Sequence, residues 1–408
     1  MTPERAFASV AHQPGAAWLD GTSGWSILAW DPVDAITETK DWGTAGRRAT
    51  LGAAGSASVP FPGGLLGYIG FGAVAAPFPG EAPAAEPPVW LGRYEGGLCY
   101  RHADNSWHPA GSRGFVSDAQ RVLRTAAALS PPAPIPPRAR AHTVSRSDYR
   151  AAARRILAWI EAGDCYQVNL TRPVWVHDAG DPWPAYRRLR RAPAAYGAYL
   201  RPSERIAILS NSPELFLEVR GRQVASLPIK GTRPRGVTPI EDAALRQELA
   251  QSDKERAELT MIVDLVRNDL AQVCTIGSVH TGQRTLTAHP TVHHAAWRVA
   301  GQLRDDADTW DALAAAFPPG SVTGAPKLRA CERIAVLESH PRGVYCGAIG
   351  YVAPGGDAVF NVAIRTAVFD GTDARYHVGG GIVAHSDPDA EWAETVAKGR
   401  ALAAAMHL

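Results

Sequence analysis

Residues 205–270 read RIAILSNSPELFLEVRGRQVASLPIKGTRPRGVTPIEDAALRQELAQSDKERAELTMIVDLVRNDL, and the order of elements in this stretch decides the fold class. Short apolar runs at Arg205–Leu209, Leu215–Val219 and Gln223–Ile229 have the length and the Ile, Leu and Val content of strands. Arg220-Gly221 turns the second into the third as a hairpin. Helices are then predicted over Pro239–Gln251 and Asp253–Leu270. Strands follow strands and helices follow helices, without the strict alternation of a barrel. The order predicts an α+β (mixed α/β) chain built on large sheets.

Working outward gives the same mixture. Downstream, a helix is predicted around Ala325–Leu337, strands at Gly343–Val352, Ala358–Phe369 and Ala374–Val378, and a last helix at Pro388–Met406. Upstream, Ser147–Ala162 reads as a helix stopped by Gly163, followed by a strand at Tyr166–Val176. Ala17–Leu19 and Ser26–Trp30 read as strands, and Phe61–Ala73 is an apolar run dense in glycine, either a tightly packed core strand pair or a ligand-lining one. Pro/Ala-rich stretches lie at Ala76–Val89, read as a surface excursion, and at Ser130–Ala141, where proline excludes a regular helix. The expected organisation is an N-terminal region at 1–130, a Pro-rich linker at 131–141 and a region at 142–408, the first and last packed as one unit.

Composition narrows the function. The chain has 408 residues, 46% of them hydrophobic and 20% charged, enough for a large core and too apolar for disorder. Forty-two Lys and Arg against 40 Asp and Glu leave a formal charge of +2, which argues against a nucleic-acid or polybasic membrane partner. No apolar run approaches the roughly 18 residues of a spanning helix, and MTPERAFASVAHQPG lacks a secretory core. The five cysteines are widely spaced and form no CxxC, pointing to a reduced, cytoplasmic enzyme or binding protein.

Several constellations carry possible chemistry. Glu255 and Glu258 open one helix, Glu391 and Glu394 another, each pair on one helical face. If the pairs converge, the anionic site calls for a hard cation, and magnesium suits oxygen ligands. Local roles compete: Ser252 with Glu255 fits a capping box, Asp387-Pro388 an N-cap and first-turn proline, and Glu394 with Lys398 a surface pair. Lys230 ends an apolar strand in PIKGTRPRG, where a desolvated amine becomes nucleophilic and a strand-end amine simply reaches water. Arg233 and Arg235 beside it suit an anion clamp or surface pairing. Phe317–Lys327 turns into a helix whose first amides favour anions, and Gly379-Gly380-Gly381 allows close approach to backbone, although neither matches a nucleotide-binding fingerprint. Arg365 lies within an apolar strand reading and needs an anionic partner, from substrate or protein. Glu214 at a strand end is a candidate general acid, and His294 either a core or an active-site histidine.

The strings CYQVNLTR, SNSPELFL, PIKGTRPRG, DKERAELTMIVDLVRNDL, FPPGSVTGAPKLRACERI, GAIGYV, AIRTAV and GGGIVAHSDPDAEWAETVAKGRAL occur in order over most of Asp148–Leu408. Together they resemble the chorismate-binding enzymes, a family that includes the first components of anthranilate and aminodeoxychorismate synthases and the isochorismate and salicylate synthases. WLDGTSGWSILAWDP and FPGGLLGYIGF echo it upstream.

The resemblance implies an anthranilate synthase component I-like fold, with large antiparallel or mixed sheets packed face to face and helices outside. It implies Mg2+ held by Glu255, Glu258, Glu391 and Glu394, and Glu214 as the acid that protonates the departing C4 hydroxyl of chorismate. Tyr351, Arg365 and the backbone at Gly379, Gly380 and Gly381 match the enolpyruvyl carboxylate site. Thr232, Ser321 and Lys398 match substrate contacts, and His294 an active-site histidine near the ring. Gln167 stands where water-adding members carry lysine, which argues against them. Lys230 stands where anthranilate synthases carry a small residue, which looks like the aminodeoxychorismate pattern. The implied reaction is attack of Lys230 on C2 of chorismate, then displacement by ammonia at C4. No GxCxG elbow is present, so ammonia is expected from a glutamine amidotransferase partner. No pyridoxal-phosphate lyase segment is present either, so pyruvate release is expected elsewhere. His385 and Trp297 depart from the family's usual residues at their positions.

Overall fold

The computed structural model describes residues 1–38, 41–50, 59–73, 84–126, 139–192, 194–288 and 292–408. Most of the Ala76–Val89 excursion and of the 131–141 linker therefore lies outside the described residues.

Among these, strands collect into an 11-stranded and a 10-stranded sheet. The first runs in the order Gly324–Ala325, Gln167–His177, Asp373–Ile382, Thr366–Asp370, Ile206–Ser212, Tyr196–Leu200, Ala17–Thr22, Trp25–Ala29, Gly96–Arg101 and Ser106–Gly111, with Arg140–Thr143 also on the Gln167–His177 strand. The second runs Ile229–Pro234, Val292–Gln302, Gln223–Leu227, Leu215–Arg220, Ala358–Val362, Ala348–Val352, Gly64–Ile69, Val89–Tyr94 and Asp34–Ile36, with His280–Ala288 on the Val292–Gln302 strand. Neighbouring strands are antiparallel, and each sheet takes strands from both sides of the 131–141 segment.

Side-chain alternation explains the layering. Ile206 and Ile208 face an inter-sheet core with Leu66, Tyr68, Ile349 and Tyr351 of the other sheet. Ala207 and Leu209 face outward onto a second core that includes Trp183, Tyr186 and Leu402 of covering helices. Ala348 and Val352 face a third core with Ile262, Val263 and Leu313. Because apolar residues cover both faces, these strands read as continuous runs. The chain is thus α+β, two large antiparallel sheets face to face with helices outside.

The glycine-rich run at 61–73 belongs to core packing: a Cβ on Gly67 would lie 1.9 Å from the Trp90 carbonyl oxygen, so only glycine admits the neighbouring strand. The 205–270 expectations hold closely, with helices at Pro239–Gln251 and Asp253–Ala271 and the hairpin at Arg220-Gly221, where Gly221 has φ +56°.

Three readings are corrected. Gln223–Ile229 divides at Pro228, and the chain pairs anew over Ile229–Pro234. The predicted strand Ala358–Phe369 is two strands in different sheets, Ala358–Val362 and Thr366–Asp370, and Arg365 sits in the crossover with φ +51°. Arg365 is therefore not a mid-strand residue. The strand predicted from Gly343 starts at Ala348, after Cys346 takes φ +64°. No helix among the described residues is long and apolar enough to cross a membrane.

Candidate active site

The edge strand that restarts after Pro228 in the second sheet, the crossover at Arg365 and the ends of two helices meet at one place. Lys230 lies in that strand, and its Nζ donates to the Ser321 carbonyl at 3.2 Å. Glu214 immediately precedes the strand Leu215–Arg220 of the same sheet, is 5% exposed, and its carboxylate accepts from the Ser321 hydroxyl and the Ile229 amide. Burial pulls the Lys230 amine below its ordinary value, and Lys398 adds to this, against Glu258, Glu214 and Glu394. Burial pushes the Glu214 carboxyl up, against the pull of Ser321 and Lys230. Desolvation thus moves the proton of this pair from amine toward carboxyl.

The glutamate pairs approach from opposite sides. Ser252 Oγ caps its helix by accepting from Glu255 N at 3.3 Å, so the capping reading holds for the serine. The Glu255 side chain leaves the helix end: its Oε1 takes Arg233 Nη1 at 3.4 Å, and its Oε2 lies 3.1 Å from where a Gly231 Cβ would sit. Opposite, Asp387 caps the Pro388–Ala405 helix through the amides of Asp389 and Ala390 at 3.0 and 2.8 Å. Glu391, 7% exposed, accepts from Ser386 Oγ at 2.7 Å. Lys398 Nζ spans Glu394 at 2.7 Å and the Gly379 carbonyl at 2.9 Å. Gly380 lies between: a Cβ there would be 3.2 Å from Glu391 Oε2 and 3.8 Å from Glu394 Oε1.

Burial raises the Glu258 carboxyl, with Glu255 and Glu391 adding to it and Lys230 opposing. Burial likewise raises Glu391, with Glu394 adding and Ser386 opposing. At Glu394 burial works upward but Lys398 outweighs it, and the carboxyl ends below its ordinary value. The two helices therefore hold their carboxylates within one another's fields. Among the described residues no three His, Cys, Asp or Glu groups are drawn in to metal-ligating distance, and each pair is held by protein donors. Glu255, Glu258, Glu391 and Glu394 are hard oxygen donors of the kind that could hold magnesium.

Thr232 and His294 pair across neighbouring strands, Oγ1 to Nδ1 at 2.9 Å. His294 is buried while Thr232 is exposed. Gln167 is fully buried beneath Gly381, where a Cβ would lie 2.8 Å from its Nε2, and its amide has no hydrogen-bond partner among the described residues. Arg365, part-buried, lies in the field of Glu214.

Tyr351 is not brought here. It is fully buried between the sheets, its ring against Phe61 and its hydroxyl accepting from Arg220 Nη1 at 3.2 Å, because residue 351 falls on the inward face of its strand. Arg233 and Arg235 are held by Glu248, Glu255 and Asp242 and are not an open anion clamp. His385 is exposed, and Trp297 donates to the Gly282 carbonyl at 2.7 Å on the adjoining hairpin.

Sequence reading passed over Asp242, His293 and Ser386. Asp242 Oδ1 takes Arg235 Nε at 2.7 Å, Gly236 N at 2.9 Å and His293 Nε2 at 2.8 Å, tying down the segment that follows Lys230. The adjacent His293-His294 pair, one residue per strand face, was the available signal.

The profile of chorismate binding enzymes matches residues 14–404. An aminodeoxychorismate synthase of Streptomyces pristinaespiralis is 44% identical over 307 residues, covering 73% of this chain and 42% of that protein. Aminodeoxychorismate synthase component 1 of Salmonella typhimurium is 38% identical over 352 residues, 83% of this chain and 76% of that one. The crystal structure of anthranilate synthase component I from Streptococcus pneumoniae superposes with a TM-score of 0.82 at 28% identity, covering 93% of this chain and 92% of that one. With eight ordered motifs, the shared fold and this breadth of match, the chain belongs to the chorismate-binding enzyme family.

Proposed function

We propose that this protein is an aminodeoxychorismate synthase component I, converting chorismate and ammonia to 4-amino-4-deoxychorismate for 4-aminobenzoate and folate synthesis. The observation that carries the reading is the Lys230 amine, held by the Ser321 carbonyl in the fields of Glu258, Glu214 and Glu394 and shifted by burial toward its neutral form. The names of the Streptomyces and Salmonella relatives support the same product.

Neutral Lys230 attacks C2 of chorismate, the ring double bonds shift, and the C4 hydroxyl departs as water with the proton of Glu214. Ammonia then bonds to C4 and the double bonds shift back, expelling the Lys230 amine with its electron pair. The C4 ammonium returns one proton to the Glu214 carboxylate, restoring both groups. Arg365 and the Gly379–Gly381 backbone hold the enolpyruvyl carboxylate, and Thr232, His294, Ser321 and Lys398 position the ring.

Glu255, Glu258, Glu391 and Glu394 would hold Mg2+, which supplies charge neutralisation for the ring carboxylate when bound. Ammonia would come from a glutamine amidotransferase subunit.

Purified protein incubated with chorismate, magnesium and ammonium chloride tests the reading by the identity of the product. 4-Amino-4-deoxychorismate is expected. Anthranilate would reassign the chain to the activity named for its Streptococcus neighbour. Absence of turnover would leave a binding or regulatory homologue.

A further inference from the structure

A buried ion pair outside the site joins two parts of it. Glu338 follows the helix Lys327–Leu337, and Pro341 stands between it and Arg342, so the pair closes a loop beyond the helix end. Its side chains are 6% and 0% exposed. Arg342 Nε donates to Glu338 Oε2 at 2.8 Å and Nη2 to Oε1 at 2.7 Å, the two-pronged match of guanidinium to carboxylate. The guanidinium also lies 4.6 Å from the Phe71 ring.

The same guanidinium reaches two backbone carbonyls from distant parts of the chain. Nη1 donates to Val322 at 3.0 Å and Nη2 to Asn169 at 2.7 Å. Glu338 Oε1 further accepts from Thr171 N at 2.9 Å. Asn169 and Thr171 lie on the edge of the first sheet, between the pairing of Gln167 and Val168 with Gly324–Ala325 and that of Val174–His177 with Arg140–Thr143. Among the described residues no strand pairs with residues 169–173 on that edge. The ion pair supplies hydrogen bonds there that a neighbouring strand would otherwise give.

Both anchor points adjoin the candidate active site. Val322 follows Ser321, whose carbonyl accepts from Lys230 Nζ and whose hydroxyl donates to Glu214. Asn169 N donates to the Thr323 carbonyl at 2.8 Å, closing the same loop onto the strand. On their other edge Asn169, Leu170 and Thr171 pair with Gly381, Gly380 and Gly379. The loop against which Lys230 and Glu214 rest is thus fastened to the strand beside the glycine triplet.

We propose that Arg342 and Glu338 are positioning residues for the reaction, setting where Lys230 and Glu214 stand relative to the Gly379–Gly381 backbone, an inference that rests on the reading above. Stability alone does not explain the pair. Burying two ions costs about as much as their attraction returns, and apolar residues of similar volume often serve equally well. Apolar side chains cannot supply four directed contacts from one rigid planar group. Lysine carries the charge without the fork.

Arg342→Lys tests this with chorismate and ammonium chloride as substrates. Misplacement by about 1 Å costs up to about 10²-fold, so kcat per folded molecule is expected to fall at least about tenfold. KM for chorismate should stay within about threefold, because the groups that hold the substrate carboxylates are untouched. Ser321→Ala removes one of the contacts through which Arg342 acts, so in that background Arg342→Lys should cost only about threefold or less. A merely structural pair gives fold-changes that multiply. Glu338→Gln keeps the shape and loses the charge; it should show the same pattern at smaller size, and decides the matter if the lysine variant does not fold. Unchanged kcat in a folded variant, a rise in KM alone, or multiplying fold-changes overturns the positioning role, and with 4-amino-4-deoxychorismate as product the C4 reading stands. Anthranilate as product, with the coupled loss of kcat, overturns the C4 reading and leaves the positioning role. No turnover in the parent protein overturns both.

Discussion

The two walls of the site are built in opposite ways. The wall bearing Gly379–Gly381, Glu391, Glu394 and Lys398 is a mostly buried strand, Asp373–Ile382, paired on both sides and backed by the last helix. The wall bearing Lys230, Glu255 and Glu258 is an arm: Ile229–Pro234 is an edge strand with a largely accessible surface, next to the exposed hairpin strand His280–Ala288. Apolar packing fixes the first wall. The arm depends on polar clamps, Asp242 with Arg235, Gly236 and His293, and Glu248 with Arg233. A nucleophile on a polar-clamped arm opposite a rigid acidic wall suggests that the arm sets reach while the packed wall sets position. Substitutions on the two walls should therefore fail differently.

The largest effect is expected at the arm's reacting group. Lys230→Ala should lower turnover by at least about 10³-fold while chorismate still binds, because the acidic wall and Arg365 are untouched. Equilibrium chorismate binding beside single-turnover kinetics separates the two, and unaltered turnover would refute the nucleophile. Glu214→Gln, which cannot supply a proton to the departing hydroxyl, should cost about 10²–10⁴-fold in kcat.

Next comes Asp242→Asn, which weakens three contacts of the arm without touching substrate. Charge-assisted hydrogen bonds contribute about 1.5–3 kcal/mol each, so a loss of roughly tenfold in kcat/KM is expected after partial compensation. Hydrogen exchange should quicken at residues 232–237 and stay unchanged at 379–382. Equal quickening on both walls would show that they are one cooperative unit and dissolve the comparison.

This asymmetry also decides what could be read from the amino acids. The packed wall was legible: the glycine triplet, the Asp387-Pro388 start and the Glu-x-x-Glu face stand in local order, and the observed helix Pro388–Ala405 ends one residue short of the expectation. Its partner helices at 239–251 and 253–271 were legible through caps and periodicity. The hairpin His280–Ala288 with Val292–Gln302 was not, because its exposed strand is polar and its register comes from pairing with distant strands. The clamp between Asp242 and His293 joins residues 51 apart and leaves no local pattern. Arg365 was placed within one strand because an apolar run does not reveal where the chain leaves one sheet for the other. Tyr351 was misplaced because a position on the inter-sheet face looks, in sequence, like one at the strand's end.

A smaller effect tests how the walls act on one another. Lys398, on the packed wall, depresses the Lys230 amine on the arm. Lys398→Gln removes that like charge, so the amine should bind its proton more tightly and lose it only at higher pH. The alkaline rise of kcat should move to higher pH, and a shift to lower pH would contradict the direction of coupling.

The smallest effect should come from within the packed wall. Ser386 donates to Glu391 and opposes the upward push of burial on that carboxyl. Ser386→Ala removes the donor, so Glu391 should protonate at a higher pH than before. A protonated Glu391 is a poorer cation ligand, so in magnesium titrations the affinity should begin to weaken at a higher pH on the acid side. One hydrogen bond to an ionised carboxylate contributes about 1.5–3 kcal/mol, which limits the displacement to about two pH units or less. If the wall is as rigid as its packing indicates, the substitution leaves KM for chorismate at neutral pH and exchange at 379–382 unchanged. Loss of chorismate binding at neutral pH would mean that even this wall is held by its polar contacts, and the contrast with the arm would disappear.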